Sequence, residues 1–374
     1  MSRVAHVRWM AAAVLTCTVA AVFVGCGDDD HGRFDSNPTA ALVRELSDAG
    51  LGRYLNIAPS AMRPNGAWDE YHFDPALQEA MCLSGGPYQV NVRRGTSNNV
   101  LLYLEGGGAC WNQATCWDTP ISKRDAGSAT PWGILDFNDA TNPFRDWTVV
   151  YAPYCDGSLF AGDNIIDYGP HRTYHHGLRN LSAAVTLLKR EVPDPSVLVV
   201  SGSSAGGYGT YTGYGVARVA FPDTRILVLN DSGPGFENPS EPQATADRIE
   251  HWQYTRFVPA DCARCNDDLV YLSEWALARD PALRIAYFNY QQDEVLRFFL
   301  QFDMAGFEAG LKAVSGGIAA EFPTRFKRYL PRGTRHTVLP LPMFYKLSVD
   351  GTTVRDWVSD FLNDGPAWRD VVEQ

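Results

Sequence analysis

In "VLVVSGSSAGGYGTYTG", residues 197–213, a β-branched apolar run ends in a serine set among glycines, Gly202-Ser203-Ser204-Ala205-Gly206. A G-x-S-x-G pattern between a strand and a helix is the signature of a strained turn that lifts a serine hydroxyl clear of the backbone, and only small flanking residues allow so sharp a turn. Ser204 is the expected nucleophile, with Ser203 as the fallback if the register is one residue earlier. The competing reading is a glycine-rich turn that merely lets a helix approach a sheet. A hydroxyl attacks a carbonyl only when a base takes its proton and an acid orients that base. Turns of this kind occur with the chain order Ser, then Asp or Glu, then His. Only His251 and His336 follow Ser204. His251 lies in "DRIEHWQY", a helical or lid-like stretch, whereas His336 follows the last strand-like run and precedes the final helix "TTVRDWVSDFLND", where a base is needed. The acid is expected at Asp293, at the end of "IAYFNYQQDEV", with Glu294 as its neighbouring competitor. Asp231 in "LVLNDSG" comes one strand too early and reads as structural.

Attack on a carbonyl creates an oxyanion that needs preorganised backbone donors. One donor is expected from Ala205, next to the nucleophile, and others from the glycine run Gly106-Gly107-Gly108 in "LLYLEGGGACWN". That run lacks the lysine and the spacing of a phosphate-binding loop. Such a site needs neither metal nor cofactor. "CARC" and the His171, His175, His176 cluster in "GPHRTYHHG" are the only hints of metal ligation. Neither carries a second ligand group at metal spacing, and the histidines read instead as a polar rim near a substrate entrance. "RFFLQFDMAGF" reads as core or cap packing, or as the wall of an apolar acyl site.

These residues must be held by a sheet. From about residue 98, apolar runs alternate with helical segments such as "LRNLSAAVTLLKREV", in which Leu181, Val185 and Leu188 fall on one face. The alternation predicts a mostly parallel central sheet with helices on both faces, and ligands then bind beyond the carboxyl ends of the strands. With 374 residues, 45% apolar, the chain can bury a large core. Its net charge of −11 excludes a nucleic-acid partner. Residues 1–26 read as a signal peptide, with Arg3 and Arg8 ahead of an apolar run too short for a membrane span. The run ends in "FVGC", similar to a bacterial lipobox, so Cys26 is the expected lipid attachment point and the protein is expected at the cell envelope or secreted. Residues 27–40 read as a flexible tether and 41–374 as one domain. Six cysteines remain beyond the signal. Many pairings are open to them, but close spacing favours Cys110 with Cys116 and Cys262 with Cys265, leaving Cys82 with Cys155.

The segments "LLYLEGGGACWNQATCWD", "VVYAPYCDGSLFAGD" and "GSSAGGYG" resemble, in order and spacing, the pectin acetylesterases and Notum, a family of serine esterases. The likeness runs from about residue 60 onward. It implies an α/β-hydrolase-like fold, with Ser204, Asp293 and His336 as triad, Gly107, Gly108 and Ala205 as oxyanion hole, and Trp111 and Tyr208 at the substrate. It likewise implies the bridges Cys110–Cys116 and Cys82–Cys155 around the site. The family often has tryptophan directly after the glycines, where this chain has Ala109. The expected substrate is an O-acyl ester, first an acetylated polysaccharide. Second comes a longer acyl chain on a lipid or protein, and a surface binding protein without the chemistry, or a serine peptidase, are the other readings.

Overall fold

The computed structural model describes residues 38–77 and 79–374. The signal segment, Cys26 and most of the tether expected from sequence lie outside the described residues. Helix α1 (Pro38–Asp48) starts within the stretch read as tether, and it does so because Leu42 and Leu46 are buried against the body of the fold. Strands β1 (Ala61–Asn65), β2 (Trp68–Phe73) and β3 (Tyr88–Arg93) follow, then β4 (Asn99–Leu104) and β5 (Thr148–Ala152). A hairpin of β6 (Asn164–Tyr168) and β7 (His171–His175) leads into α2 (Gly177–Glu191), β8 (Val197–Ser203), α3 (Ala205–Ala220) and β9 (Arg225–Asp231). After α4 (Pro242–Trp252) and α5 (Tyr271–Arg279) come β10 (Arg284–Phe288), α6 (Glu294–Leu300), α7 (Met304–Glu321) and β11 (Phe326–Leu330). The chain closes with a small hairpin of β12 (Ser348–Val349) and β13 (Thr352–Thr353), helix α8 (Val354–Asn363) and β14 (Val371–Val372).

One ten-stranded sheet, in the order β1-β2-β3-β5-β4-β8-β9-β10-β11-β14, organises the molecule. From β5 to β14 every neighbouring pair is parallel, and β1 to β3 add an antiparallel edge. The fold is therefore α/β with a mostly parallel sheet, as the alternating runs predict. Strand alternation assigns side chains to two cores. On β4, Val100, Leu102 and Leu104 pack on one face with Leu181, Val185 and Leu188 of α2, while Leu101 and Tyr103 pack on the other with Val354, Trp357 and Phe361 of α8. Burial on both faces is why these strands read as continuous apolar runs. Disulfides join Cys82 to Cys155, Cys110 to Cys116 and Cys262 to Cys265, so the "CARC" pair is a bridge and not a zinc ligand pair. Among the described residues no helix is long and apolar enough to cross a membrane.

Candidate active site

β8 delivers Ser203 and α3 begins at Ala205, so Ser204 occupies the turn between them with φ 57° and ψ −119°. A non-glycine residue in that region is strained, and here the sheet and helix fix it from both sides. Its N–H donates to the carbonyl of Asp231, 2.8 Å away. The flanking glycines are required by contact: a Cβ on Gly206 would stand 1.9 Å from the Leu104 carbonyl oxygen, and one on Gly202 would stand 2.3 Å from that of Gly206. Ser203 is buried and committed elsewhere. Its hydroxyl donates to Asp231 Oδ2 at 2.6 Å and pairs with the Tyr103 hydroxyl at 2.8 Å. Ser204 lines both the narrow cavity and the open cleft, whereas Ser203 reaches the open cleft alone.

Asp293 caps α6. Its Oδ1 accepts from the N–H groups of Val295 and Leu296, both at 3.0 Å, which leaves Oδ2 to meet His336 Nδ1 at 2.7 Å. Glu294, one residue on, is exposed. His336 Nε2 has no hydrogen-bond partner among the described residues and lines the same open cleft as Ser204. Serine–histidine hydrogen bonds often tighten only when substrate is bound. The loop carrying His336 is tied to Asp231, whose Oδ2 accepts from Val338 N at 3.0 Å and Leu339 N at 2.9 Å. Asp231 is thus the structural carboxylate that its place in the sequence suggests, and burial pushes its pKa up.

Gly106, Gly107 and Gly108 leave β4 beside this turn, with the Cβ position of Gly106 3.0 Å from Ser204 Cβ. Gly108 adopts φ +80°, and a Cβ there would stand 2.0 Å from the Ile121 carbonyl. The amides of Gly107, Gly108 and Ala205 donate to no backbone acceptor among the described residues, and Ala205 opens the first turn of α3, where backbone dipoles favour negative charge. Trp111, Tyr208, Leu296, Phe299 and Leu300 enclose a narrow cavity of about 40 Å³ against Ser204. On the other side lies an open cleft of about 410 Å³ with Glu105, Lys123 and Trp132 on its rim.

His251 is not part of this arrangement. It ends α4, and its Nδ1 contacts the Trp111 carbonyl. The histidine cluster is corrected as well. His171 stacks on Trp117, and β7 is extended, so no helical spacing brings His171 and His175 to one ion. His175 is fully buried, with Nδ1 3.0 Å from the Asp156 carbonyl oxygen and Nε2 3.1 Å from the Tyr168 hydroxyl. His176 Nδ1 lies 2.9 Å from the Glu79 carbonyl. They brace loops under the site and form no rim. Burial pushes His175 down to about 3 and His176 down to about 4. Both are neutral when folded and take a proton mainly on unfolding, so their contribution is present above the ordinary histidine pKa and lost as the pH falls toward those values. Near pH 4.5 this costs roughly 2 to 3 kcal/mol per histidine. Asp156 and Glu237, pushed up to about 6 by burial, act with the opposite sign. The readout is therefore a difference: His175→Gln is expected to unfold earlier than the parent at neutral pH and to close much of that gap between about pH 6.5 and 4.5 in thermal melts. A gap that stays constant over this range contradicts the assignment.

Glu105, Lys123, Trp132, Glu237 and Arg248 also line the site but carry no motif in the sequence. Their only signal is position: Glu105 precedes the glycine run and Glu237 follows the β9 terminus, both at carboxyl ends of sheet strands.

The pectinacetylesterase family model matches residues 71–266, more than half of the chain. Pectin acetylesterase 11 of Arabidopsis thaliana is 28% identical over 168 residues, covering 41% of this chain and 42% of that protein. Palmitoleoyl-protein carboxylesterase NOTUM of Homo sapiens is 32% identical over 175 residues, 42% of this chain and 34% of its own. The Schmidtea mediterranea NOTUM is 36% identical over 148 residues, 36% and 28%. The matched region thus spans less than half the length of each of these relatives. It includes the glycine run and Ser204, while Asp293 and His336 lie beyond the 71–266 match and enter through geometry. With the sheet, the serine turn and the bridged loops in place, this chain belongs to the pectinacetylesterase family.

Proposed function

We propose that the protein is a serine carboxylesterase that removes short acyl groups, above all acetyl, from carbohydrate hydroxyls. The observation that carries this reading is the convergence of the Ser204 turn and the Asp293–His336 pair on one cleft. Ser204 Oγ attacks the ester carbonyl as His336 Nε2 takes its proton, and Asp293 holds the imidazole tautomer that leaves Nε2 free to accept. The amides of Gly107, Gly108 and Ala205 receive the oxyanion. His336 returns the proton to the departing alcohol oxygen. Water, deprotonated by the same nitrogen, then releases the carboxylic acid from the acyl-serine.

Cavity size supports the choice of acyl group. About 40 Å³ beside Ser204 holds a few water-sized groups, against several hundred Å³ for pockets that enclose drug-sized ligands. That size favours an acetyl methyl over a fatty chain in this cavity. The alcohol side is open, and Trp132, 56% exposed at its rim, offers a flat face for a sugar ring. Trp132→Ala is expected to raise KM for an acetylated oligosaccharide about tenfold while leaving p-nitrophenyl acetate unchanged; equal effects on both substrates contradict a sugar platform. The reading as a whole is tested with p-nitrophenyl esters from acetyl to palmitoyl, in the protein and its Ser204→Ala variant. Serine-dependent turnover greatest for acetate is expected. Turnover indifferent to Ser204 refutes it, and an optimum at long chains selects a fatty deacylase.

A further inference from the structure

Two charged side chains line the narrow cavity beside Ser204. Glu237, on the segment that follows β9, meets Arg248 of α4 through Oε2 and Nη2, and the Thr245 hydroxyl lies 3.5 Å from the same carboxylate oxygen. The Glu237 N–H is fixed by Asp268 Oδ1 at 2.7 Å. Arg248 is 7% exposed and its guanidinium lies 5.4 Å from the centre of the Trp111 ring. Both side chains line the Ser204 cavity. Glu237 also lines a second, open pocket of about 610 Å³, walled mainly by Phe236, Ile249, Phe302 and Val314, with Asp267, Asp268 and Asn238 on its lining as well. Glu237, held by Arg248, is therefore shared between the narrow slot and a mostly apolar space large enough for a chain.

A largely buried ion pair, here with Arg248 7% and Glu237 19% exposed, is a poor source of stability, since apolar side chains of similar volume often serve as well or better. Burial holds Glu237 up at about 6 in spite of Arg248. At the end of an acyl slot, however, such a pair discriminates. A methylene pushed against it gains no favourable burial and has to separate two desolvated charges.

We propose that the Glu237–Arg248 pair is the stop of the acyl slot, restricting the acyl group to acetyl size, and that the Phe236-walled chamber behind it becomes the tail site once the pair is removed. This rests on the esterase reading above. The test compares kcat/KM for p-nitrophenyl octanoate and p-nitrophenyl acetate in the protein, in Glu237→Ala/Arg248→Ala and in each protein's Ser204→Ala counterpart. Removing both partners leaves no unpaired buried charge. The octanoate-to-acetate ratio is expected to rise at least about tenfold, chiefly through a lower KM for octanoate. If the double alanine variant does not fold, Glu237→Gln/Arg248→Ala carries the same test with an expected rise of about threefold. An unchanged ratio in a folded, Ser204-dependent variant overturns the stop while leaving the esterase reading intact, as does a parent protein that already cleaves octanoate as well as acetate. Loss of Ser204 dependence in the parent itself overturns the esterase reading, and the stop with it.

Discussion

Ser204→Ala is expected to lower kcat on p-nitrophenyl acetate by about 10⁵- to 10⁶-fold, the scale seen when the nucleophile of a serine triad is removed. The residual rate reflects binding and the oxyanion donors. The melting temperature is expected to stay within a degree or two, since the half-buried Ser204 side chain faces the cleft and not the core and a substitution of this kind stays within about 0.5 kcal/mol. The strained turn persists because neighbouring backbone, not the hydroxyl, enforces it: Gly206 is packed on the Leu104 carbonyl and Ser204 N–H is held by Asp231. A loss of activity accompanied by a large fall in melting temperature contradicts this, because it assigns Ser204 to the scaffold. Ser203→Ala separates the two serines. It removes a hydroxyl held between Tyr103 and Asp231 and acts mainly on stability.

The second large effect belongs to Asp231, which touches no substrate. Its carboxylate accepts from the Ser203 and Ser232 hydroxyls and from the N–H groups of Val338 and Leu339. Asp231→Ala strands these donors in the interior, at about 1 to 3 kcal/mol for each buried group left unsatisfied. Removing a carboxylate whose burial is itself unfavourable offsets part of that cost. The donors outnumber the charge, so a net loss of about 4 kcal/mol is expected, with a fall of about 6 °C in melting temperature for a domain of this length. Activity falls too, since Val338 and Leu339 anchor the loop that carries His336. A displacement of about 1 Å there costs on the order of 10²-fold in kcat. Thermal melts and kcat measured well below the new melting temperature check both parts. A variant that melts like the parent, or that keeps full kcat, contradicts the anchoring role.

The turn at Ser204 was legible because its geometry restricts residue types locally: only glycine fits where backbone passes within contact distance, so the pattern shows in five consecutive residues. Asp293 and His336 were legible for a topological reason, as polar residues that follow buried parallel strands in the right chain order. The sheet itself showed through its continuous apolar runs. The edge strand β1 did not, because it is exposed along its length and has no burial pattern to reveal it. The histidines of β7 misled because type and spacing say nothing of depth. His175 and His176 lie under loops bridged by Cys82–Cys155 and Cys110–Cys116, and their partners are backbone carbonyls that any sequence carries. Glu237 and Arg248 were invisible for a related reason. They acquire meaning only when α4 folds back over Trp111 and sets both at the end of the slot.

Whether Ser204 is the activated nucleophile of this cleft is decided by treating the protein with a fluorophosphonate and locating the adduct by peptide mass spectrometry. A single stoichiometric adduct on Ser204 is expected, formed far more slowly in His336→Ala. An adduct on Ser203, or labelling whose rate is indifferent to His336, would contradict it.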